Sequence, residues 1–458
     1  MEFIITLDDI VLLFDNYSQD SQNLQASFER AGYHCKVMVI EDDGFLPEGV
    51  MSVYGYFLGE FQGKKGIPGK PRYFNQITVP DYWEISGTNS MGKVNDLYRE
   101  RGKIFYAEPK HKRLVKVVDW YDENKVVRSS DHYNRYGALY ARTTFNARGQ
   151  KVNKSYFSAE GREIIQENYV TGDIILNDGD EVKFFRTKTD FVVHVLVKAG
   201  LAQHRIFFNS LSTPFFVSQR LFSEAKRDVL FWQEPTGNEI PGNMKIILNG
   251  QASRTGQIMV QKRKSYDRLL ELGASADIVR KLGFLYPFER ENTCRPEALI
   301  CTNSDRIEQC EKIVKALPQI HFHIAAITEM SSKLMAMESH DNVSLYPGVK
   351  MSVLDELFKK CDYYLDINHE SEIVSAVYRA FLSKQVIFAF RETMHNENYV
   401  ARAHIYRTEE ADRMIADLQK AAGDEAALKD HLQMQLDEAL SEEVERYWQF
   451  HLPGQSKA

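Results

Sequence analysis

Cysteine is scarce in this chain and unpatterned. The five residues Cys35, Cys294, Cys301, Cys310 and Cys361 are an odd number with no C-x-x-C spacing. That argues against a disulfide framework or a zinc knuckle and fits reduced thiols, so a cytoplasmic location is expected and no metal. Glu2, Asp8 and Asp9 stand where a secretory signal would need basic residues before an apolar run. No apolar run approaches the roughly 20 residues that span a bilayer, so any membrane contact is expected to be peripheral. There is no G-x-G-x-x-G and no Walker A string. Neither type of Gly-rich phosphate cradle is therefore supported, and no cofactor is expected.

What is present is ordinary globular composition with uneven charge. The 458 residues carry 57 Lys+Arg against 64 Asp+Glu, a net −7, and their length suggests two or three domains. Glu409 to Arg446 holds 12 acidic and 4 basic residues, whereas Phe61 to Lys116 holds 12 basic and 5 acidic. The acidic stretch has Met414, Leu418, Ala421, Leu428, Leu432 and Leu436 near helical spacing, which predicts amphipathic helices with a solvated outer face. The basic stretch suits an anionic membrane surface or an acidic partner surface. Lys110–Lys116 and Lys262–Lys264 carry no nucleic-acid-binding motif, and no nucleic-acid partner is expected.

The chain opens with β-α-β grammar. The run Ile10–Phe14 is followed by Leu24, Phe28 and Ala31 at helical spacing, then by strand-like Cys35–Ile40. From Phe61 the pattern changes to short alternating runs. Their turns are Tyr121–Lys125, Phe145–Lys151, Phe157–Glu163 and Leu176–Glu181, which predicts an antiparallel meander of about 100 residues. A helix near Val192–Ala199, strands at Arg205–Asn209, Val229–Trp232 and Met244–Leu248, a helix at Ser265–Leu272 and a helical linker at Ser275–Gly283 come next. Beyond Glu297, five strands alternate with four helices, from Ala298–Thr302 to Val386–Phe390. This predicts a second doubly wound domain.

The segment Cys361–Phe390 resembles the donor-site segment of retaining B-type glycosyltransferases, in which a Glu after a strand is followed eight positions later by a second Glu. Here Glu370 takes the first position and Tyr378 the second, while Glu372 is followed at that spacing by Ala380. A carboxylate can accept hydrogen bonds from both ribose hydroxyls of a sugar nucleotide; a phenol offers one oxygen. Asn303-Ser304-Asp305 reads as a helix cap and Arg306 as a solvated side chain, so the cations that would neutralise a diphosphate leaving group are missing. The donor site is expected to be degenerate at Glu370, Glu372 and Tyr378, with no catalytic residue. Glu370 and Glu372 also suit acids at a helix N-terminus. His321 and His323 share a strand face without a third ligand at a diagnostic spacing, and core or edge histidines are the better reading.

The strings Ile40–Ser52, Val117–Gly137 and Lys245–Gly273 resemble the GtfB-type stabilising subunits of the bacterial O-GlcNAc-transferase complex that glycosylates serine-rich-repeat adhesins. The resemblance runs from about Ile10 to Phe450. It implies an α/β chain of two Rossmann-like domains, the B-type glycosyltransferase fold, with an extended antiparallel β-sheet insertion in the N-terminal domain. The implied division is 1–60 with 190–283, the insertion 61–189, a C-terminal domain 284–407 and an acidic helical segment 408–458. The implied role is non-catalytic. The subunit would stabilise a catalytic GtfA-type partner in a hetero-oligomer and bind the Ser/Thr-rich adhesin polypeptide before export by the accessory Sec system, with members at the cytoplasmic face of the membrane. Individual acceptor-binding residues stay unassigned. Two other readings remain: an active retaining glycosyltransferase, and a pure scaffold or membrane adaptor.

Overall fold

The computed structural model describes residues 9–223 and 225–450. It falls into two compact units, Met1–Met259 with Leu270–Arg280, and Val260–Leu269 with Lys281–Ala458. No helix among the described residues is long and apolar enough to cross a membrane.

In the first unit every residue of strand Ile10–Phe14 is buried. Such a continuous apolar run is what a strand covered on both faces requires. It pairs in parallel with Lys36–Val39 on one side and Arg205–Phe208 on the other. Helix Gln19–Arg30 connects the first two, with the Ser18 hydroxyl accepting the Ser21 N–H at its start. The full sheet runs Val279–Lys281, Thr255–Val260, Asp228–Trp232, Arg205–Phe208, Ile10–Phe14, Lys36–Val39, Val50–Ser52.

Two expectations fail in this unit. Met244–Leu248 is not a strand but the body of helix Gly242–Leu248. Its two buried apolar side chains, Met244 and Ile247, are three apart, and the Asn249 N–H closes onto the Lys245 carbonyl at 2.9 Å. A run of five apolar-rich residues does not distinguish the two states. Within Ser275–Gly283, expected as a helical linker, Val279–Lys281 instead forms the edge strand of the sheet. The Ile258 N–H donates to the Ile278 carbonyl at 2.9 Å.

The predicted meander is a ten-stranded antiparallel sheet from Glu84–Gly87 to Glu181–Phe185, with each strand beside its sequence neighbour. All four predicted turns join adjacent strands. Alternation puts Val94, Ile104, Val118 and Tyr133 into a core that Ile77, Phe74 and Trp83 help to cover. Near its other edge the sheet is anchored by Tyr156, whose ring stacks on Tyr54 at 4.2 Å, and Tyr54 in turn stacks on Phe191. Gly44 marks a close approach. Its φ is +81°, a Cβ there would lie 2.6 Å from the Tyr133 carbonyl, and its own carbonyl accepts the Arg135 N–H at 2.8 Å.

The second unit holds a parallel sheet in the order Val343–Tyr346, His321–Ala326, Glu297–Thr302, Tyr363–Asp366, Val386–Phe390, Ile405–Tyr406. The sixth strand, Ile405–Tyr406, is one more than the sequence pattern suggested. Helices Ala411–Gly423 and Glu425–Glu438 account for most of the acidic stretch. Met414, Leu418, Ala421 and Leu428 enter the core, while Asp412, Asp424, Glu425 and Asp430 are exposed. Mixed α/β architecture with parallel sheets and one large antiparallel sheet is thus what the chain adopts.

Candidate functional site

The six-stranded sheet reverses its winding between Glu297–Thr302 and Tyr363–Asp366: the earlier strands lie to one side of this pair and the later ones to the other. Open parallel sheets take ligands outside the carboxyl ends of their strands at such a point. The loops that leave these two ends are therefore the candidate site. They contain Asn303–Arg306 and Glu370–Glu372.

The two loops are laced together. Ile307 and Asn368 form an antiparallel bridge, the Glu308 N–H donates to the Ile367 carbonyl at 2.8 Å, and the His369 N–H donates to the Arg306 carbonyl at 3.0 Å. This pairing explains a departure from expectation. Asn303–Asp305 does not cap a helix, because extended pairing holds residues 306–308 and the helix begins only at Cys310. The Ser304 hydroxyl instead accepts the Arg306 N–H at 2.9 Å within a turn. Below the loops, buried Asn368 places Oδ1 2.7 Å from the Thr302 hydroxyl.

Glu370 is half-exposed, and its carboxylate lies 3.5 Å from Nη1 of the exposed Arg306. A solvated pair of this kind contributes about 0–1 kcal/mol. Its backbone is held more firmly, because His395 Nε2 donates to the Glu370 carbonyl and Nδ1 to the Asp366 carboxylate, each at 2.5 Å. Burial works against a charge on this ring, but the hydrogen bond and charge of Asp366 prevail and raise His395 to about 9. Both ring nitrogens donate, as an imidazolium requires.

Glu372 points elsewhere. Its carboxylate accepts the Val377 N–H at 2.8 Å at the start of helix Ala376–Leu382. Burial raises its pKa, the Val377 hydrogen bond opposes this, and the Asp366 charge adds to the rise. This is the helix-terminal role anticipated as an alternative for it. Tyr378, in the first turn of that helix, is half-buried, with its ring 5.1 Å from Tyr399, which also packs on Phe381 at 4.9 Å. The position eight beyond Glu370 therefore presents an aromatic wall.

The structure brings Glu370, Glu372 and Arg306 to neighbouring loops at one sheet edge and puts Tyr378 in the helix behind them. The Asp366–His395 clamp was missed by sequence reasoning, since no spacing rule joins a strand-end Asp to a His 29 positions later. His321 and His323 lie away from the site. His323 Nε2 is 2.6 Å from Glu297 and Nδ1 2.9 Å from the Tyr346 hydroxyl, while His321 meets Ser344. No group of three or more metal-ligating side chains occurs among the described residues.

Four family descriptions match the chain in order: GtfB N-terminal domain over residues 11–57, GtfB middle domain over 83–186, GtfB third domain over 188–272, and GftB/GlyA-F C-terminal domain over 298–435. A UDP-N-acetylglucosamine–peptide N-acetylglucosaminyltransferase stabilizing protein GtfB from Streptococcus agalactiae is 41% identical over 440 residues, 96% of this chain and 98% of the relative. The chain belongs to the GtfB stabilizing-protein family. The Streptococcus gordonii GtfB is 40% identical over 93% of this chain and 94% of its own length. A chain in the crystal structure of a GtfA/B complex bound to UDP and GlcNAc superposes with a TM-score of 0.90 at 39% identity, covering 96% of this chain and 98% of that one. TarM, at 11% identity and a TM-score of 0.51, shares the fold alone. In this GtfB family member, the residue eight positions beyond Glu370 is Tyr378.

Proposed function

We propose that this chain is the non-catalytic, acceptor-binding and stabilising subunit of a protein O-glycosyltransferase complex. Its catalytic GtfA-type partner transfers GlcNAc from UDP-GlcNAc to Ser or Thr of a serine-rich-repeat adhesin. The observation that carries the non-catalytic part is the site itself. Among the described residues the Glu370 carboxylate pairs with the solvated Arg306 alone, and an aromatic cluster of Tyr378 and Tyr399 occupies the position eight residues on, which in this reading lacks a ribose-binding carboxylate. A phenol cannot replace bidentate carboxylate recognition, and one exposed guanidinium is a weak diphosphate site. The named role of full-length relatives as stabilizing proteins supports the same reading.

In this reading the parallel sheets belong to two Rossmann-like domains of the B-type fold, 1–60 with 190–283 and 284–407. Residues 61–189 are the insertion that pairs with the catalytic subunit, and 408–458, of which 451–458 lie outside the described residues, are the acidic C-terminal segment. The basic stretch Phe61–Lys116 lies at the start of that insertion and suits an acidic partner surface or anionic lipid, placing the complex peripherally at the cytoplasmic face of the membrane. Binding the acceptor beside the partner raises its effective concentration and allows repeated modification of one polypeptide.

The test is co-expression with a catalytic subunit. The two should co-purify, and the partner's thermal unfolding should shift upward with added chain, as mass action requires. Removing 61–189 should abolish both effects. A partner equally stable and equally active alone would contradict the proposal.

A further inference from the structure

The seven-stranded sheet has its own winding reversal, between Ile10–Phe14 and Arg205–Phe208. Asp15 and Asn209 are the first residues beyond the carboxyl ends of those two strands. By the same rule as in the other sheet, a ligand of this unit belongs there.

Asn209 is buried and fully engaged. Its Oδ1 accepts the Asp15 N–H at 3.0 Å, and its Nδ2 donates to the Ser21 hydroxyl at 3.0 Å and to Gln233 Oε1 at 3.1 Å. Ser21 and Gln233 are buried as well. The result is a rigid polar floor in which the Asp15 backbone is pinned on both sides, since its carbonyl also accepts the Glu41 N–H at 2.8 Å.

The carboxylate of Asp15 is different. It is partly buried, yet among the described residues no hydrogen bond or ion pair reaches it. Burial and the charge of Glu41 raise its pKa, and Lys188 opposes them. A partly desolvated carboxylate without donors is a costly arrangement unless a ligand supplies them. Lys188 is shared between Glu41 at 2.6 Å and Glu167 at 3.0 Å and is close enough to act on Asp15.

We infer that Asp15, set on the Asn209–Gln233–Ser21 floor, reads the acceptor polypeptide by accepting hydrogen bonds from its Ser or Thr hydroxyls. This rests on the acceptor-binding role proposed above and gives it a residue. The arrangement discriminates by composition: an Ala at the same place in the peptide leaves Asp15 desolvated and unpaired, so affinity falls although nothing clashes.

The experiment uses the full chain in complex with its catalytic partner. The probes are a synthetic unmodified Ser/Thr-repeat peptide, its Ser/Thr-to-Ala counterpart and a Lys-substituted counterpart, titrated by fluorescence anisotropy. The wild-type chain should prefer the Ser/Thr peptide by roughly tenfold or more, the scale of one hydrogen bond to a charged group. Asp15→Ala should erase that preference without lowering the thermal unfolding midpoint, and Asp15→Asn should keep part of it. Asp15→Ala that binds all peptides like wild type, or weakens them equally, overturns the assignment. A preference for the Lys peptide that Asp15→Ala removes overturns it in favour of a cation site. A wild-type complex that binds none of the peptides overturns the acceptor-binding reading, and this assignment with it.

Discussion

His395 holds the Asp366 carboxylate from two directions, with its ring Nδ1 2.5 Å from Oδ1 and its backbone N–H 2.8 Å from Oδ2. Its other nitrogen carries the Glu370 carbonyl, so one ring fixes the loop between strand and helix at the candidate site. The candidate-site loop is thus closed onto an internal contact.

The clamp makes stability depend on pH in a definite direction. His395 is raised to about 9 in the folded chain, mainly against burial and through Asp366. A raised cationic pKa contributes stability that is full below the unfolded value of about 6.5 and is lost as pH climbs through about 9. Unfolding of wild type and His395→Ala should therefore differ most near pH 6 and converge toward pH 10. Equal differences at both pH values would mean that the ring is held as a neutral group.

Restoring the missing acid should not restore an enzyme. Tyr378→Glu places a charge beside Tyr399 and Phe381 and should cost about 1–3 kcal/mol in a denaturant titration. It should produce no UDP release from UDP-GlcNAc, because the guanidinium beside Glu370 is the exposed Arg306 and the His395 imidazolium is already taken up by Asp366 and the Glu370 carbonyl.

The first unit depends on a charge pair buried without exposure on either side. Arg254 donates to both oxygens of Asp228, at 2.9 and 3.0 Å, and to the carbonyls of Ala202, His204 and Phe222. Arg254→Ala strands Asp228 and should lower unfolding free energy by about 3–5 kcal/mol, measurable by urea titration.

Gly283 allows the chain to pass against the C-terminal segment. A Cβ there would overlap the Leu440 carbonyl, beside the bond from the Phe284 N–H to that same carbonyl at 3.0 Å. The Gly283 carbonyl also accepts the Tyr447 hydroxyl at 2.6 Å. Gly283→Ala should cost about 1–3 kcal/mol and speed hydrogen exchange at residues 440–447.

Much of the secondary structure could be read from pattern. Period-two alternation and Gly-bearing turns disclosed the antiparallel sheet, and the strand-helix rhythm after Glu297 disclosed the second parallel sheet. Failures occurred where local signal is weak or tertiary pairing overrides it. Met244–Leu248 is too short for its period to decide, Val279–Lys281 is a strand only because Thr255–Val260 lies beside it, and Arg306–Glu308 is extended because Asn368 bridges to Ile307. At the candidate site, the Glu370-to-Tyr378 spacing was legible because one loop and one helix carry both. The His395 clamp and the Asp15 carboxylate, without a partner among the described residues, were not, since each is defined by segments distant in sequence.

The most direct test is transfer of labelled GlcNAc from UDP-GlcNAc to an unmodified Ser/Thr-rich peptide by the purified chain, by its GtfA-type partner, and by the two together. A non-catalytic stabilising subunit predicts no incorporation by this chain alone and strong incorporation by the mixture, well above the partner's own rate. Incorporation by the chain alone that disappears with Glu370→Gln would contradict it.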